Sequence, residues 1–119
     1  MDKLLSMLGL AYKAGKIVFG SEGVSGAIRS KNKPPLILLA SDASDNSVKK
    51  ITDGCKYYKV DLLTAYVTKQ EIGHILKGRS DVACVAVTDI GFANAIREII
   101  NKRSTEPQQF AGGALTNDD

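Results

Sequence analysis

Pro34-Pro35-Leu36-Ile37-Leu38-Leu39-Ala40-Ser41-Asp42-Ala43-Ser44 is the stretch that decides how this chain folds. Five apolar residues follow one another without alternation, which suits a strand covered on both faces. The two prolines keep a helix from running into it, because the residue before a proline is pushed out of helical geometry. Ser41 to Ser44 forms the turn beyond the strand. Ser44 caps a third helix, with Asp45, Asn46 and Ser47 in its first turn and Val48, Ile51, Cys55 and Tyr58 as its apolar face.

Outward from this strand, helical and strand patterns alternate. Leu4, Leu5, Leu8, Ala11 and Tyr12 recur at helical spacing over Asp2 to Lys13, and Gly15 stops that helix. Ile17 to Phe19 reads as a short strand. Gly20-Ser21 turns the chain into a second helix, with Ser21 as N-cap and Val24, Ala27 and Ile28 inward. Leu62 to Val67 is the third strand, and Thr68-Lys69-Gln70-Glu71 has the capping-box pattern of a short fourth helix ending by Gly78. Val82 to Val87 is the fourth strand. Thr88 or Asp89 caps a last helix faced by Phe92, Ile96, Ile99 and Ile100.

One helix followed by four strand-helix units predicts an α/β fold, a three-layer α/β/α sandwich with a central four-stranded sheet. The domain is expected over 1–104, with 105–119 as a disordered tail containing Pro107, Gln108, Gln109, Gly112 and Gly113. No internal repeat is present. With 119 residues and 44% hydrophobic content, the chain can bury one core unaided. The apolar runs are too short to cross a bilayer and the Met1 end lacks a cleavage pattern, so a soluble cytoplasmic protein without membrane contact is expected. Cys55 and Cys84 stand alone in apolar segments and read as buried reduced thiols. Three of the 13 acidic residues lie in the tail, which leaves ten against 16 basic residues, a net +6 that favours a polyanionic partner.

No catalytic constellation emerges. Gly20-Ser21-Glu22-Gly23-Val24-Ser25-Gly26 lacks a P-loop lysine and the spacing of a dinucleotide fingerprint. Asp42 and Asp89 both follow strands, but the end of the first strand supplies only Glu22, not the carboxylate cluster that magnesium requires. They read as turn and capping residues. His74 has no nucleophile paired with it by sequence and reads as a surface or helix-end histidine. No cofactor and no metal is implied. What remains is the start of the second helix, flanked in sequence by Lys13, Lys16, Arg29, Lys31 and Lys33. Its free amides and dipole suit a phosphate, and Gly20 and Gly23 leave room for a backbone. A tight turn that needs glycine explains the same residues.

Several stretches, in order, resemble a known family. They are Leu8-Gly9-Leu10-Ala11-Tyr12-Lys13-Ala14-Gly15-Lys16 with Gly20, then Ala40-Ser41-Asp42-Ala43-Ser44, Thr52-Asp53-Gly54-Cys55-Lys56-Tyr57-Tyr58, Glu71-Ile72-Gly73 and Val87-Thr88-Asp89-Ile90-Gly91-Phe92-Ala93. Over nearly all of residues 4 to 102 the chain is similar to the bacterial YlxQ-type branch of the ribosomal L-seven-Ae and L-thirty-e family. The resemblance implies the sandwich read above and binding to kink-turn RNA, a sharply bent internal loop with sheared G·A pairs. The family's helix entry reads Gly, a small residue, Asn, Glu, two variable residues and Lys. Gly20 and Ser21 match it, whereas Glu22, Gly23 and Gly26 stand in place of the Asn, Glu and Lys. Each lost base contact removes discrimination of ~1–3 kcal/mol, and Arg29, one turn beyond Gly26, could compensate in part for the lysine. The loop before the last strand, Gly78-Arg79-Ser80-Asp81, is more polar than the family's.

These readings converge on a non-catalytic protein that binds structured, kink-turn-like RNA, ribosomal RNA foremost, with ribosomal proteins as further candidate partners and no DNA. Gly20, Ser21, Glu22 and Gly23 form the docking point, Lys13, Lys16 and Arg29 contact phosphates, and Asp42, Ala43, Arg79 and Ser80 line the neighbouring loops. The alternative is a protein-interaction module that keeps the fold without the RNA-reading residues.

Overall fold

A computed structural model describes residues 2–76, 78 and 80–105. Along the chain run α1 (Lys3–Lys13), β1 (Ile17–Phe19), α2 (Ser21–Arg29), β2 (Leu36–Leu39), α3 (Asp45–Tyr58), β3 (Leu62–Thr64), α4 (Lys69–Ile75), β4 (Cys84–Val87) and α5 (Ile90–Thr105). The strands form one mixed sheet in the order β1-β4-β2-β3. The last strand is antiparallel to both its neighbours, while β2 and β3 are parallel.

Every residue of β2 and β4 is buried, as the unbroken apolar runs require. Alternate side chains go to opposite faces. Leu36, Leu38, Val85 and Val87 meet Leu4 and Leu8 of α1, Ile72 of α4, and Ala93, Ile96 and Ile100 of α5. Ile37, Leu39, Cys84 and Ala86 meet Val24 and Ile28 of α2 and Ile51 and Cys55 of α3. The sheet is therefore the middle of three layers, with three helices on one face and two on the other. Burial of these branched side chains, at ~1.5–3 kcal/mol each, is the main drive to this arrangement.

Local chemistry sets the helix ends. Asp2 accepts hydrogen bonds from the amides of Leu4 (2.8 Å) and Leu5 (3.4 Å), and its carboxylate also takes the Tyr66 hydroxyl at 2.8 Å. Ser44 caps α3, Thr68 and Glu71 complete a capping box on α4, and Asp89 accepts from the Phe92 amide at 3.0 Å. Gly15, at φ +75°, ends α1.

The structure departs from the sequence reading at several ends. Leu62 to Val67 is strand only as far as Thr64; Ala65 still donates to the Leu39 carbonyl (2.7 Å), after which the chain leaves the ladder toward the Thr68 cap. Val82 is buried but donates to the Lys69 carbonyl, so β4 starts only at Cys84. Val48 is 38% exposed, because the first turn of α3 lies beyond the end of the sheet. Gly20, not Ser21, is the N-cap of α2, and Ser21 is its first helical residue. The last helix includes Thr105, and 106–119 lie outside the described residues.

Gly20 makes the turn from β1 to α2 at φ +87° and ψ 153°, a combination essentially restricted to glycine. Gly20→Ala is expected to destabilise the protein by about 1–3 kcal/mol in urea unfolding, although a Cβ there would meet no neighbour within 4 Å. A second expectation concerns pH. Burial raises the Cys55 thiol from 9.0 to about 11, with smaller contributions from Cys84 and Asp61. The folded state thus holds the proton more tightly, so this contribution is complete below pH 9 and lost as pH rises through 11. The urea midpoint should fall across that window, and more steeply in the parent than in Cys55→Ala.

Candidate functional site

Register fixes which loops meet. Phe19 pairs with Val85, and Leu39 pairs with both Cys84 and Thr64. The ends of β1, β2 and β3 and the beginning of β4 therefore lie at one end of the sheet. Gathered there are the Gly20 turn, the loop 40–44, the loop 65–68 and the approach to β4 through Ser80. The loops are tied together by backbone bonds. The Gly20 amide donates to the Cys84 carbonyl (3.1 Å), Ala40 to Ala83 (2.8 Å), and Ser41 to Val67 (2.8 Å).

The start of α2 differs from the starts of the other four helices. Gly20 has no side chain, and no side-chain hydrogen bond caps the first turn, whereas Asp2, Ser44, Thr68 and Asp89 cap the others. The first-turn amides and the positive end of the helix dipole are left to solvent or a ligand. Open space around Gly20 lets another backbone approach. Gly23 has a different explanation: a Cβ there would stand 3.0 Å from Cγ1 of Val18, so its lack of a side chain lets α2 pack on β1. Glu22 is exposed on the first turn.

The Ser21 hydroxyl hydrogen-bonds Cys84, whose thiol burial pushes upward against the opposing influence of Ser21 and of the Lys50 charge. Lys50, on α3, therefore lies on the Cys84 side of the sheet with α2, a cation that sequence reading did not select. Its position shows only once Gly54, four residues on, is seen facing Ile28 of α2 at 3.8 Å. Asp42 uses its carboxylate to accept the Lys69 amide at 2.8 Å, which fastens the β2–α3 loop to the start of α4. Ala43 is half-buried beside it, its amide donating to Ala40 at 3.2 Å. Ser80 is exposed and lines an open groove with Gln70, His74 and Asp81. Arg79 lies outside the described residues.

Three of the selected cations are not brought to this end. The amide of Thr88, just past β4, donates to the Lys16 carbonyl, so Lys13 and Lys16 stand where β1 begins. That is four residue steps, about 13 Å, from Gly20. Arg29 ends α2 at the same far end. Among the described residues, no group of three or more His, Cys, Asp or Glu is placed to hold a metal. Both thiols belong to the core under α2 and α3, on the opposite side of the sheet from the helix that carries His74. The arrangement at the Gly20 end offers backbone donors, hydroxyls and the Lys50 cation, which suit an anion or a polar backbone.

Comparison with known proteins gives the family. Residues 2–97 match the model of the ribosomal protein L7Ae/L30e/S12e/Gadd45 family. The chain is 40% identical over 95 residues to the RNA-binding protein YlxQ of Bacillus subtilis (strain 168), spanning 80% of this chain and 92% of that one. To the RNA-binding protein YlxQ of Enterococcus faecium it is 33% identical over 99 residues, 83% of this chain and 92% of that protein. A protein of unknown function from Bacillus halodurans C superposes with a TM-score of 0.75 at 29% identity, over 85% of this chain and 99% of the other. The Giardia lamblia 15.5kD RNA binding protein shares the fold, with a TM-score of 0.64 at 15% identity over 86% and 88% of the two chains. No helix among the described residues is long and apolar enough to cross a membrane. By the family match over most of its length and its likeness to two YlxQ proteins, this chain is a bacterial YlxQ-type member of the ribosomal protein L7Ae/L30e/S12e/Gadd45 family.

Proposed function

We propose that this protein binds structured RNA, without catalysing a reaction, through the end of the sheet where α2 begins. The observation that carries this reading is the uncapped entry of α2, open at Gly20, at the end where the loops after β1, β2 and β3 converge. Backbone amides at a helix start are suited to phosphate oxygens, and Ser21 adds a hydroxyl beside them. Two relatives named as RNA-binding proteins support RNA as the polyanion.

In this reading Gly20 and Ser21 shape the contact, Gly23 lets α2 sit against β1 beneath it, and Glu22 turns its carboxylate away from the phosphates. Ala43 and Ser80 border it, and Asp42 holds the loops in position. Lys13, Lys16 and Arg29 meet phosphates of an RNA that runs along the length of the domain. The preferred target is a kink-turn-like internal loop, ribosomal RNA being the natural source, in a cytoplasmic setting that also brings ribosomal proteins near. With Glu22 and Gly23 in place of Asn and Glu, recognition rests on the bent shape and the backbone more than on base edges. The domain that does this is 1–104.

The test is a titration at two salt concentrations against a kink-turn RNA, the same RNA with its G·A pairs replaced by Watson-Crick pairs, and a plain duplex. The kink-turn should bind tightest, with affinity falling steeply as salt rises, and the replaced RNA should drop to the level of the duplex. Absence of binding to all three, together with capture of protein partners that survives nuclease, would assign the fold to protein interaction instead. A companion expectation concerns the far cations. Reversing Lys16 and Arg29 to Glu together should weaken kink-turn binding by at least about tenfold and flatten the salt slope. An unchanged slope removes these two residues from the surface.

A further inference from the structure

Tyr57 is 79% exposed, the most exposed large apolar side chain among the described residues. Its ring has one aromatic neighbour. It stands edge-on to the ring of Tyr58, with centroids 4.8 Å apart and planes at 80°. Tyr58 in turn lies under the Lys33 ammonium, 4.6 Å from the ring centroid, and Lys33 bonds the carbonyls of Ile28 (3.1 Å) and Ser30 (2.9 Å) at the end of α2. An aromatic face held this way gives up little side-chain freedom when something stacks on it.

Helical spacing shows where the ring sits. Lys50, Gly54 and Tyr57 follow one another at i, i+4 and i+7, on one stripe of α3. Because Gly54 faces Ile28 of α2, the stripe borders the seam between the two helices. Lys50 marks the end of the seam near the start of α2, and Tyr57 the end where Arg29 and Lys33 lie. The two are about 10 Å apart along the helix axis, a length that holds two to three stacked nucleotides. Gly26 on α2 has open space above it. The neighbouring carboxylate of Asp53 is paired with Lys49 at 3.5 Å, and Glu22, on the α2 stripe of Gly26 and Arg29, is the acidic residue set against Lys50, Arg29 and Lys33 along the seam.

We propose that the seam between α2 and α3 is a second RNA contact, which takes an unpaired strand by stacking a base on Tyr57 and placing phosphates along Lys50, Arg29 and Lys33. An exposed ring flanked by cations suits stacking with a single strand of any sequence. The proposal rests on and deepens the RNA-binding reading; Lys50 and Arg29 are common to both surfaces, but the Tyr57 ring belongs to this contact alone, so its replacement tests this contact without touching the entry of α2.

The test uses oligouridine and oligoadenine of about twelve nucleotides, alongside a kink-turn RNA without unpaired ends, titrated against the full chain and its Tyr57→Ala and Tyr57→Phe variants. The parent should bind both oligonucleotides, Tyr57→Ala should bind them about tenfold more weakly, and Tyr57→Phe should retain binding. Kink-turn affinity and thermal midpoint should stay as in the parent for both variants. Failure of the parent to bind the oligonucleotides, or equal binding by Tyr57→Ala, overturns the proposal and leaves the ring to a protein partner. Loss of kink-turn binding in Tyr57→Ala also overturns it, since the two contacts would then be one surface. Oligonucleotide binding without kink-turn binding by the parent would sustain this contact and remove the one proposed at α2.

Discussion

Four antiparallel pairs, Leu36 with Val87 through Leu39 with Cys84, join β2 to β4, and the other elements take their places from that pairing. All eight residues are buried, so each face of this ribbon must be covered. The register sends Leu36, Leu38, Val85 and Val87 to one side and Ile37, Leu39, Cys84 and Ala86 to the other. A one-residue slip would exchange the two sets and disturb both helical layers together. The same register sets Phe19, Leu38 and Leu63 at one level, which brings the Gly20 turn beside the loops that follow β2 and β3.

The candidate site depends on this rigid base. The converging loops are joined by bonds from Gly20 to Cys84, Ala40 to Ala83 and Ser41 to Val67, and the Asp42 carboxylate adds a link to the start of α4. A helix entry held in this way presents its amides in a fixed direction, which favours recognition of a shaped backbone. The same construction explains why two glycines in one short segment differ. Gly20 permits a backbone conformation and an open approach, whereas Gly23 permits helix-to-strand contact.

Much of the fold is legible in the chain because its signals are local. An apolar run without alternation marks each central strand, and serine, threonine or aspartate precedes the helices they cap. The shortened ends of β3 and β4 were not legible. Val67 and Val82 are apolar because they are buried, and burial alone does not say whether a residue joins a ladder. Nor could Ser21 be told from Gly20 as the cap of α2, since serine is the usual choice and the conformation of Gly20 shows only in three dimensions. The site was legible only in part for a related reason. Lys13, Lys16 and Arg29 are close to Gly20 in sequence, but a strand and a helix carry them to the far end of the sheet. Lys50, thirty residues away, is brought to the Cys84 side of the sheet with α2 through α3.

An amide-resolved titration of isotope-labelled protein with a kink-turn RNA tests most directly where the RNA sits. An RNA surface at the entry of α2 requires the largest shifts at Gly20 to Val24, with a second group at Ser41 to Ser44. Shifts confined to the outer face of α5, or none at RNA concentrations well above that of the protein, would contradict it.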